Sequence, residues 1–368
     1  MLEKGKISAA QMGIMMYPVV VSNADLMVPA MTAKEAARDL WMAPIIASLS
    51  GFILVYIIFQ LSKLYPKQTI VEYAVLITGK IPGKIIGLLF LFYFAYNGGN
   101  ILKQYGEFLV SIFLNRTPEV VIIGTMVLLC GFAVRGGVEV IGRTAQIFVP
   151  CVVILWITII VLLVPDFKVN NMFPMLERGI VPPLRGAILV QPWFTHFGLL
   201  AMLLPYVADR ENGLKAGTRW LAAIMVTLTV LDLTALFIFG AITATLSFPM
   251  MEATRYISIA DFLEHLEAFV MTIWVAGTFV KISLFYYVLT IGSAQWLHLS
   301  DYRPVVWPLG FLLVVFGMWA PGVSELAAWW TSTAPFFANT IHFVIPLLLL
   351  LLGLLRRKLA ANRRDTAR

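Results

Sequence analysis

Charged side chains are scarce in this sequence. Asp, Glu, Lys and Arg together make up 13% of its 368 residues, whereas 60% are hydrophobic and the mean hydropathy is +0.87. A soluble globular domain carries about 25% charged residues, so this composition excludes an ordinary water-soluble protein. Apolar runs of about 20 residues recur along the chain, and each is long enough to cross about 30 Å of hydrocarbon. We therefore expect an integral membrane protein in a lipid bilayer.

Cysteine is rarer still, and the motifs of common enzyme classes are missing. The two cysteines, Cys130 and Cys151, both lie in apolar runs, which argues against a redox or metal role and predicts small buried hydrophobic residues. The sequence contains no HExxH zinc motif, no G-x-S-x-G nucleophile elbow and no phosphate-binding P-loop. We therefore expect no enzyme activity, no metal site and no cofactor.

The basic residues are concentrated between the apolar runs. Lys and Arg number 27 against 20 acidic residues, and the resulting net charge of +7 can indicate nucleic-acid binding. If the N-terminus is cytoplasmic, however, the segments on that side hold 18 of the basic residues and the opposite segments hold 7. This bias follows the positive-inside rule. We interpret the charges as topology signals, place both termini in the cytoplasm and expect no nucleic-acid partner.

Apolar stretches separated by charged or Pro/Gly-rich breaks predict ten transmembrane helices, and hence an all-α polytopic membrane protein. A single transmembrane domain would occupy residues 1–368 and end in a basic cytoplasmic tail at 356–368. The predicted spans lie near residues 8–31, 41–62, 83–113, 119–135, 144–164, 185–208, 217–247, 265–298, 304–320 and 335–355.

Two of these spans contain paired prolines around polar residues. The first span holds Pro18 and Pro29, and the sixth holds Pro192 and Pro205 at a similar separation. Proline removes a backbone donor and clashes with the preceding turn, and freed backbone groups survive at membrane depth only beside protein or a wet cavity. Matched interruptions in two halves of a chain are typical of inverted-repeat transporters with a binding site at the midplane. We predict broken first and sixth helices in a five-plus-five inverted repeat.

The interrupted segments supply the predicted ligand-binding residues. The two repeats would cover about 8–164 and about 185–355, which brings both breaks to the same depth. Unwound backbone would present free amides to an anionic group and free carbonyls to a cation, and an amino acid carries both charges. We select the residues around both breaks and two polar residues of the third span, namely Ser22, Asn23, Ala24, Asp25, Asn100, Gln104, Thr195, His196 and Gly198.

Two of the selected residues have open roles. His196 would contact the ligand or carry a proton, or it would only cap backbone groups beside the break. The carboxylate of Asp25 would attract an ammonium group but would repel a ligand carboxylate placed close by.

Further polar residues within spans are assigned to an ion site or to internal pairing. A charge at membrane depth costs several kcal/mol unless it is paired or meets water. On the third span, Lys103 and Glu107 are four residues apart, which suits a helical ion pair that either locks helices together or lines a solute cavity. The eighth span adds Lys281 and Ser283.

The eighth and ninth predicted spans carry a specific pattern, a "W…G.F.KISLFYY" helix followed by "YRP…PLG". This pattern resembles the B-subunit family of bacterial spore germinant receptors, and the likeness extends to a sixth span that ends "LLPY". The matching residues are Trp274, Gly277, Phe279, Lys281, Ile282, Ser283, Tyr302, Arg303, Pro304, Pro308, Leu309 and Gly310.

The resemblance implies a branch of the amino acid, polyamine and organocation transporter superfamily. Proteins of this family are similar in role: they sense amino acids or other small nutrients in the spore inner membrane, together with an A subunit and a lipoprotein C subunit. The resemblance therefore implies a nutrient-binding receptor subunit, and a proton-coupled amino acid transporter is the alternative.

One departure from the transporter pattern bears on the ligand. Transporter relatives carry a glycine-rich "G.G" in the first-helix break, whereas this chain has Ser22 to Ala24 there. A non-amino-acid ligand or a purely structural break therefore stays open. Lys281 belongs to the family pattern, and it would replace a coupling cation, pair with an acid such as Asp25, or extend to the membrane interface.

Overall fold

A computed structural model describes residues 2–255, 257, 267–319, 322 and 333–365. Within these ranges the chain is built from helices, which confirms the predicted all-α polytopic fold. The helices are α1 Ala9–Ala36, α2 Met42–Leu64, α3 Ile70–Thr78, α4 Lys80–Ile112, α5 Glu119–Gly136, α6 Val138–Leu163, α7 Val181–Thr195, α8 Leu200–Leu203, α9 Gly213–Phe239, α10 Pro249–Thr254, α11 Glu267–Trp296, α12 Val306–Trp319, α13 Ala334–Asn339 and α14 Ile345–Asp365.

Nine helical segments among the described residues are long and apolar enough to cross a bilayer. The predicted span at 304–320 corresponds to a shorter apolar helix, Arg303–Trp319. The start of the predicted span at 265–298 lies partly outside the described residues. Cys130 is buried as predicted, whereas the prediction for Cys151 is wrong: this side chain is exposed, because α6 lies at the periphery of the helix bundle.

α1 is the central helix of the bundle. Its first turn is fixed by a capping box, in which the Ser8 amide donates to Gln11 Oε1 and the Gln11 amide donates to Ser8 Oγ. The helix packs against α6, α7, α9 and α11, and nearly all of its side chains are buried. A helix that is buried on all sides needs no polar face, which explains why this span reads apolar around its whole circumference.

The first span is not broken, and the predicted unwinding near residues 20–25 is wrong. α1 runs continuously through both Pro18 and Pro29. A proline removes its own hydrogen bond from the ladder, and tight packing against four neighbouring helices holds the remaining turns in place. The side chain of Asn23 hydrogen-bonds side chains of three other helices.

The sixth span is interrupted, as the sequence predicts. α7 ends at Thr195, a 3₁₀ turn covers His196–Leu199, α8 adds one short helical turn, and a second 3₁₀ turn covers Leu204–Tyr206. Proline residues lie on both sides of this region, at Pro192 inside α7 and at Pro205 in the second 3₁₀ turn. Backbone groups in 3₁₀ turns are less regularly paired than in an α-helix, so the interruption creates polar positions within the bundle.

The segment before α1 is joined to the end of the sixth span. The Ile7 amide donates to the Tyr206 carbonyl at 3.0 Å, and the Ala208 amide donates to the Ile7 carbonyl at 2.9 Å. The Ala9 amide then donates to Asp209 Oδ1 at 2.6 Å, and this bond lowers the pKa of the Asp209 carboxyl group. The start of α1 and the end of the sixth span are therefore held together at one face of the molecule.

Candidate functional site

Asn23 lies where four helices meet. Its Oδ1 atom accepts hydrogen bonds from Lys281 Nζ of α11 at 2.6 Å and from Trp193 Nε1 of α7 at 2.9 Å. Its Nδ2 atom donates to Gln104 Oε1 of α4 at 3.0 Å. All four side chains are buried. Asn23 therefore connects the middle of α1 to α4, to α7 just before the sixth-span interruption, and to α11.

Several buried polar atoms on α1, α4 and α11, three of the helices that meet at Asn23, have no hydrogen-bond partner among the described residues. Native proteins pair the large majority of their buried polar atoms, so a group of unpaired ones marks a place suited to a polar solute. We call these residues, together with Asn23 and Lys281, the polar cluster. The unpaired atoms are Ser22 Oγ, both carboxylate oxygens of Asp25, both amide atoms of Asn100, Gln104 Nε2 and Ser283 Oγ.

The polar cluster contains one acidic and one basic side chain. Asp25 and Lys281 are both fully buried, and their opposite charges interact across the cluster. The Lys281 ammonium donates to Asn23, whereas neither Asp25 oxygen has a hydrogen-bond partner among the described residues, and the carboxylate lies near the Trp156 indole of α6. α1 therefore carries a buried acidic group at Asp25 and, two residues away at Asn23, a contact with a buried basic group.

A close helix contact forms one wall of the polar cluster. A Cβ atom at Gly277 of α11 would lie 2.8 Å from Ser22 Cβ of α1, a distance that real Cβ atoms do not reach. Glycine at this position therefore lets the two helices approach beside the cluster. Ala24 is buried but contributes no polar side chain, and the expected free amides at residues 22–25 are absent because these residues lie inside the continuous helix α1.

The second part of the site is the sixth-span interruption. Asn97 Nδ2 of α4 lies 3.1 Å from His196 Nε2, and His196 Nδ1 has no partner among the described residues. The carbonyl of Thr195, the last residue of α7, lies 2.6 Å from His342 Nδ1, while the Thr195 hydroxyl donates to the Pro192 carbonyl. The backbone at the interruption is thus partly satisfied by side chains of other spans.

Lys103 and Glu107 lie outside the polar cluster. Lys103 Nζ is 3.2 Å from Glu107 Oε1 within α4 and 2.9 Å from Glu119 Oε2 of α5. The three charged side chains are partly exposed and lie at the contact between α4 and α5. The polar residues of α4 therefore fall into two groups: Asn97, Asn100 and Gln104 face the site, and the charged residues connect α4 to α5.

Sequence reasoning missed two residues of the site, Trp193 and His342, and it did not assign Asn97 to the site. Trp193 is next to Pro192 in the polar stretch of the sixth span, so its indole N–H was a visible donor. His342 is a histidine inside an apolar span, which is itself a signal of function, but its position near the predicted span end concealed this. Only the three-dimensional arrangement shows that the last span crosses the sixth at His342.

Solved structures share this fold at low sequence identity. The crystal structure of MhsT in complex with L-phenylalanine has a TM-score of 0.66 and 12% identity, and the match covers 96% of this chain and 99% of that one. A substrate-bound, outward-open Na⁺-coupled sialic acid symporter has a TM-score of 0.69 and 11% identity, with coverage of 95% and 79%. The fold is therefore that of this group of transporters.

Sequence relatives are spore germination proteins over the whole chain. Spore germination protein KB of Bacillus subtilis (strain 168) is 25% identical over 367 residues, covering 97% of each chain. Spore germination protein YndE of the same organism is 26% identical over 359 residues, covering 96% of this chain and 98% of that one. Residues 6–321 match the family described as "Spore germination protein". The chain therefore belongs to the spore germination protein family, as a permease-like membrane protein related to germinant receptor B subunits.

Proposed function

We propose that this chain is the membrane subunit of a spore germinant receptor and that it binds a small nutrient, an amino acid foremost, in the polar cluster. The observation that carries the proposal is the convergence of Asp25, Lys281 and unpaired buried polar atoms beside the interrupted sixth span. The family supports the role in germination, and the fold supports a small-molecule site.

The charges of the polar cluster match those of a free amino acid. The Asp25 carboxylate suits a ligand ammonium group, and the Lys281 ammonium suits a ligand carboxylate, because hydrogen bonds between charged groups are the strong ones in a water-poor site. Asn100, Gln104 and Ser22 add donors and acceptors that can orient the ligand. A neutral sugar would use the amides and the hydroxyl but would leave both charged groups unpaired, which favours an amino acid.

The receptor role needs binding but no chemistry. A nutrient that fits one arrangement of the cluster better than another shifts the equilibrium between the two arrangements, and partner subunits respond to that shift. In this proposal the partners are an A subunit and a lipoprotein C subunit. The chain lies in the spore inner membrane with both termini in the cytoplasm, as two inverted repeats near 8–164 and 185–355 and a basic tail at 356–368.

A proton-coupled amino acid transporter is the second candidate, and the observation in its favour is the shared fold with transporters. The two candidate functions differ in whether amino acids cross the membrane. The purified chain would be reconstituted in proteoliposomes and supplied with labelled L-amino acids. Uptake that depends on a pH gradient supports transport, whereas saturable binding without uptake supports the receptor.

Germination assays on spores test the receptor role directly. Spores that lack the chain would be compared with spores that carry the wild type or a variant, using the twenty L-amino acids and glucose as probes. Asn23→Ala and Ser22→Ala are expected to raise the nutrient concentration for half-maximal germination or to change which nutrient is effective. Asn115→Ser, in an exposed loop, is the matched control and should leave the response unchanged. If Asn23→Ala and Ser22→Ala respond like the wild type at equal protein level, the site assignment is wrong.

A further inference from the structure

The last membrane span contacts the sixth at the interruption itself. The described part of that span consists of α13, a π-helical turn at Thr340–Val344, and α14. His342 is the central residue of the π-helical turn and is fully buried. Single π-helical turns inside longer helices are frequent at functional sites, because they redirect one side chain away from its regular position.

The hydrogen bond between His342 and Thr195 has a defined direction. A carbonyl oxygen only accepts, so His342 Nδ1 carries the proton and donates to the Thr195 carbonyl at 2.6 Å. This carbonyl belongs to the last residue of α7, where the regular helical ladder stops. His342 therefore adds a side-chain donor to the carbonyl at which α7 ends and the 3₁₀ turn begins, in the way that a side chain caps a helix end.

The space for the imidazole ring is created by glycine. A Cβ atom at Gly198 would lie 2.8 Å from His342 Cγ and 3.1 Å from His342 Nδ1, so any larger residue would displace the ring. On its other side the ring packs against Tyr93 of α4, with ring centroids 4.5 Å apart. The imidazole is thus enclosed between the sixth-span interruption and α4.

We propose that His342 is the positioning residue of the sixth-span interruption. Its bond to the Thr195 carbonyl holds residues 195–199 in the geometry that places the His196 ring against Asn97, next to the polar cluster. His342 acts on the nutrient site through Thr195 and does not itself contact the nutrient. The inference rests on the proposed function only where it identifies this region as part of a nutrient site.

Backbone hydrogen exchange measures the positioning role without a ligand. The purified full chain in detergent would be compared with His342→Leu, which removes the donor, and His342→Asn, whose amide retains a donor near the position of Nδ1. Losing this side-chain donor to a buried carbonyl should speed exchange at residues 196–200 about tenfold or more, whereas the asparagine variant should stay within about threefold of the wild type. The control His298→Asn, in an exposed loop, should change nothing. Equal exchange in the leucine and asparagine variants, or no change in either, would overturn the proposal.

A double-mutant cycle tests whether Gly198 and His342 act together. Gly198→Ala should speed exchange at residues 196–200 about tenfold, because the new methyl group displaces the ring and weakens the bond. In a His342→Ala background the same change should add less than about threefold, because Cγ and Nδ1 are gone and only the Cβ atom, at 3.1 Å, stays close. The matched control is Gly124→Ala, where a Cβ atom meets no neighbour within 4 Å. If Gly198→Ala speeds exchange by the same factor in the wild type and in the His342→Ala background, the two residues do not act together and the proposal is contradicted.

A germination readout separates this inference from the proposed function. At equal protein level in spore membranes, His342→Leu should raise the half-maximal concentration of an effective L-amino acid about tenfold, and His342→Asn should restore it. If no amino acid acts on the wild type while the exchange results hold, the proposed function fails and the positioning role stands. If amino acids act but the exchange and germination responses of His342→Leu match the wild type, the positioning role is wrong.

Discussion

The buried pair of Asp25 and Lys281 leads to a specific stability prediction. Lys281→Met keeps most of the side-chain volume but removes the ammonium group, so the Asp25 carboxylate is left without an opposite charge in a fully buried position. Neither Asp25 oxygen is hydrogen-bonded to Lys281, so removing the ammonium group should cost about 1–3 kcal/mol, less than breaking a buried ion pair in direct contact. The Asn23 acceptor remains satisfied by the Trp193 indole at 2.9 Å, so the loss comes mainly from the uncompensated carboxylate.

The magnitude converts to a measurable change in thermal stability. At about 2 °C per kcal/mol for a chain of this size, Lys281→Met should lower the apparent melting temperature in detergent by ~2–6 °C. Adding Asp25→Asn removes the unpaired charge, so the double variant should regain most of this loss. Lys67→Met, at an exposed lysine, is the control and should shift the melting temperature by less than about 1 °C. A double variant as unstable as the sum of its single variants would refute the pairing of the two charges.

Two further predictions concern helix contacts. Gly277→Ala would bring a Cβ atom to 2.8 Å from Ser22 Cβ, so it should destabilise the chain by about 1–3 kcal/mol, measured as a lower melting temperature. The control Gly124→Ala should not lower the melting temperature. Equal stability of the two variants would contradict the close contact. At the start of α1, the Ala9 amide lowers the pKa of the Asp209 carboxyl group, so this contact contributes at neutral pH and is lost as the pH falls through the folded-state pKa. The protection of the Ala9 amide against hydrogen exchange should therefore decrease on acidification. Protection that stays the same until the Asp209 carboxyl group is protonated, and beyond, would refute this.

The general location of the site could be predicted from the sequence, but its construction could not. Polar residues and prolines inside apolar spans are local signals, and they pointed to Asn23, Asp25 and the stretch around His196. The same two prolines of the first span also predicted a break that the fold does not contain. Whether a proline interrupts a membrane helix depends on the neighbours that pack around it, and these neighbours come from distant parts of the chain.

The hydrogen-bond partners of the site residues were beyond sequence reasoning for the same reason. Asn23 and Lys281 are 258 positions apart in the chain, and Thr195 and His342 are separated by 147. No period or motif relates residues at such separations. The ion pair of Lys103 and Glu107, by contrast, follows from helical spacing alone, although its extension to Glu119 of α5 does not.

Binding of labelled amino acids to the purified chain tests the central claim most directly, which is that the polar cluster holds the nutrient. An L-amino acid that triggers germination should bind saturably, and Asp25→Asn should weaken binding about tenfold, because a neutral hydrogen bond worth about 0.5–1.5 kcal/mol replaces a charged one worth about 1.5–3 kcal/mol. Asn115→Ser should bind like the wild type. Unchanged affinity in Asp25→Asn, in a protein that still folds and binds, would contradict the account.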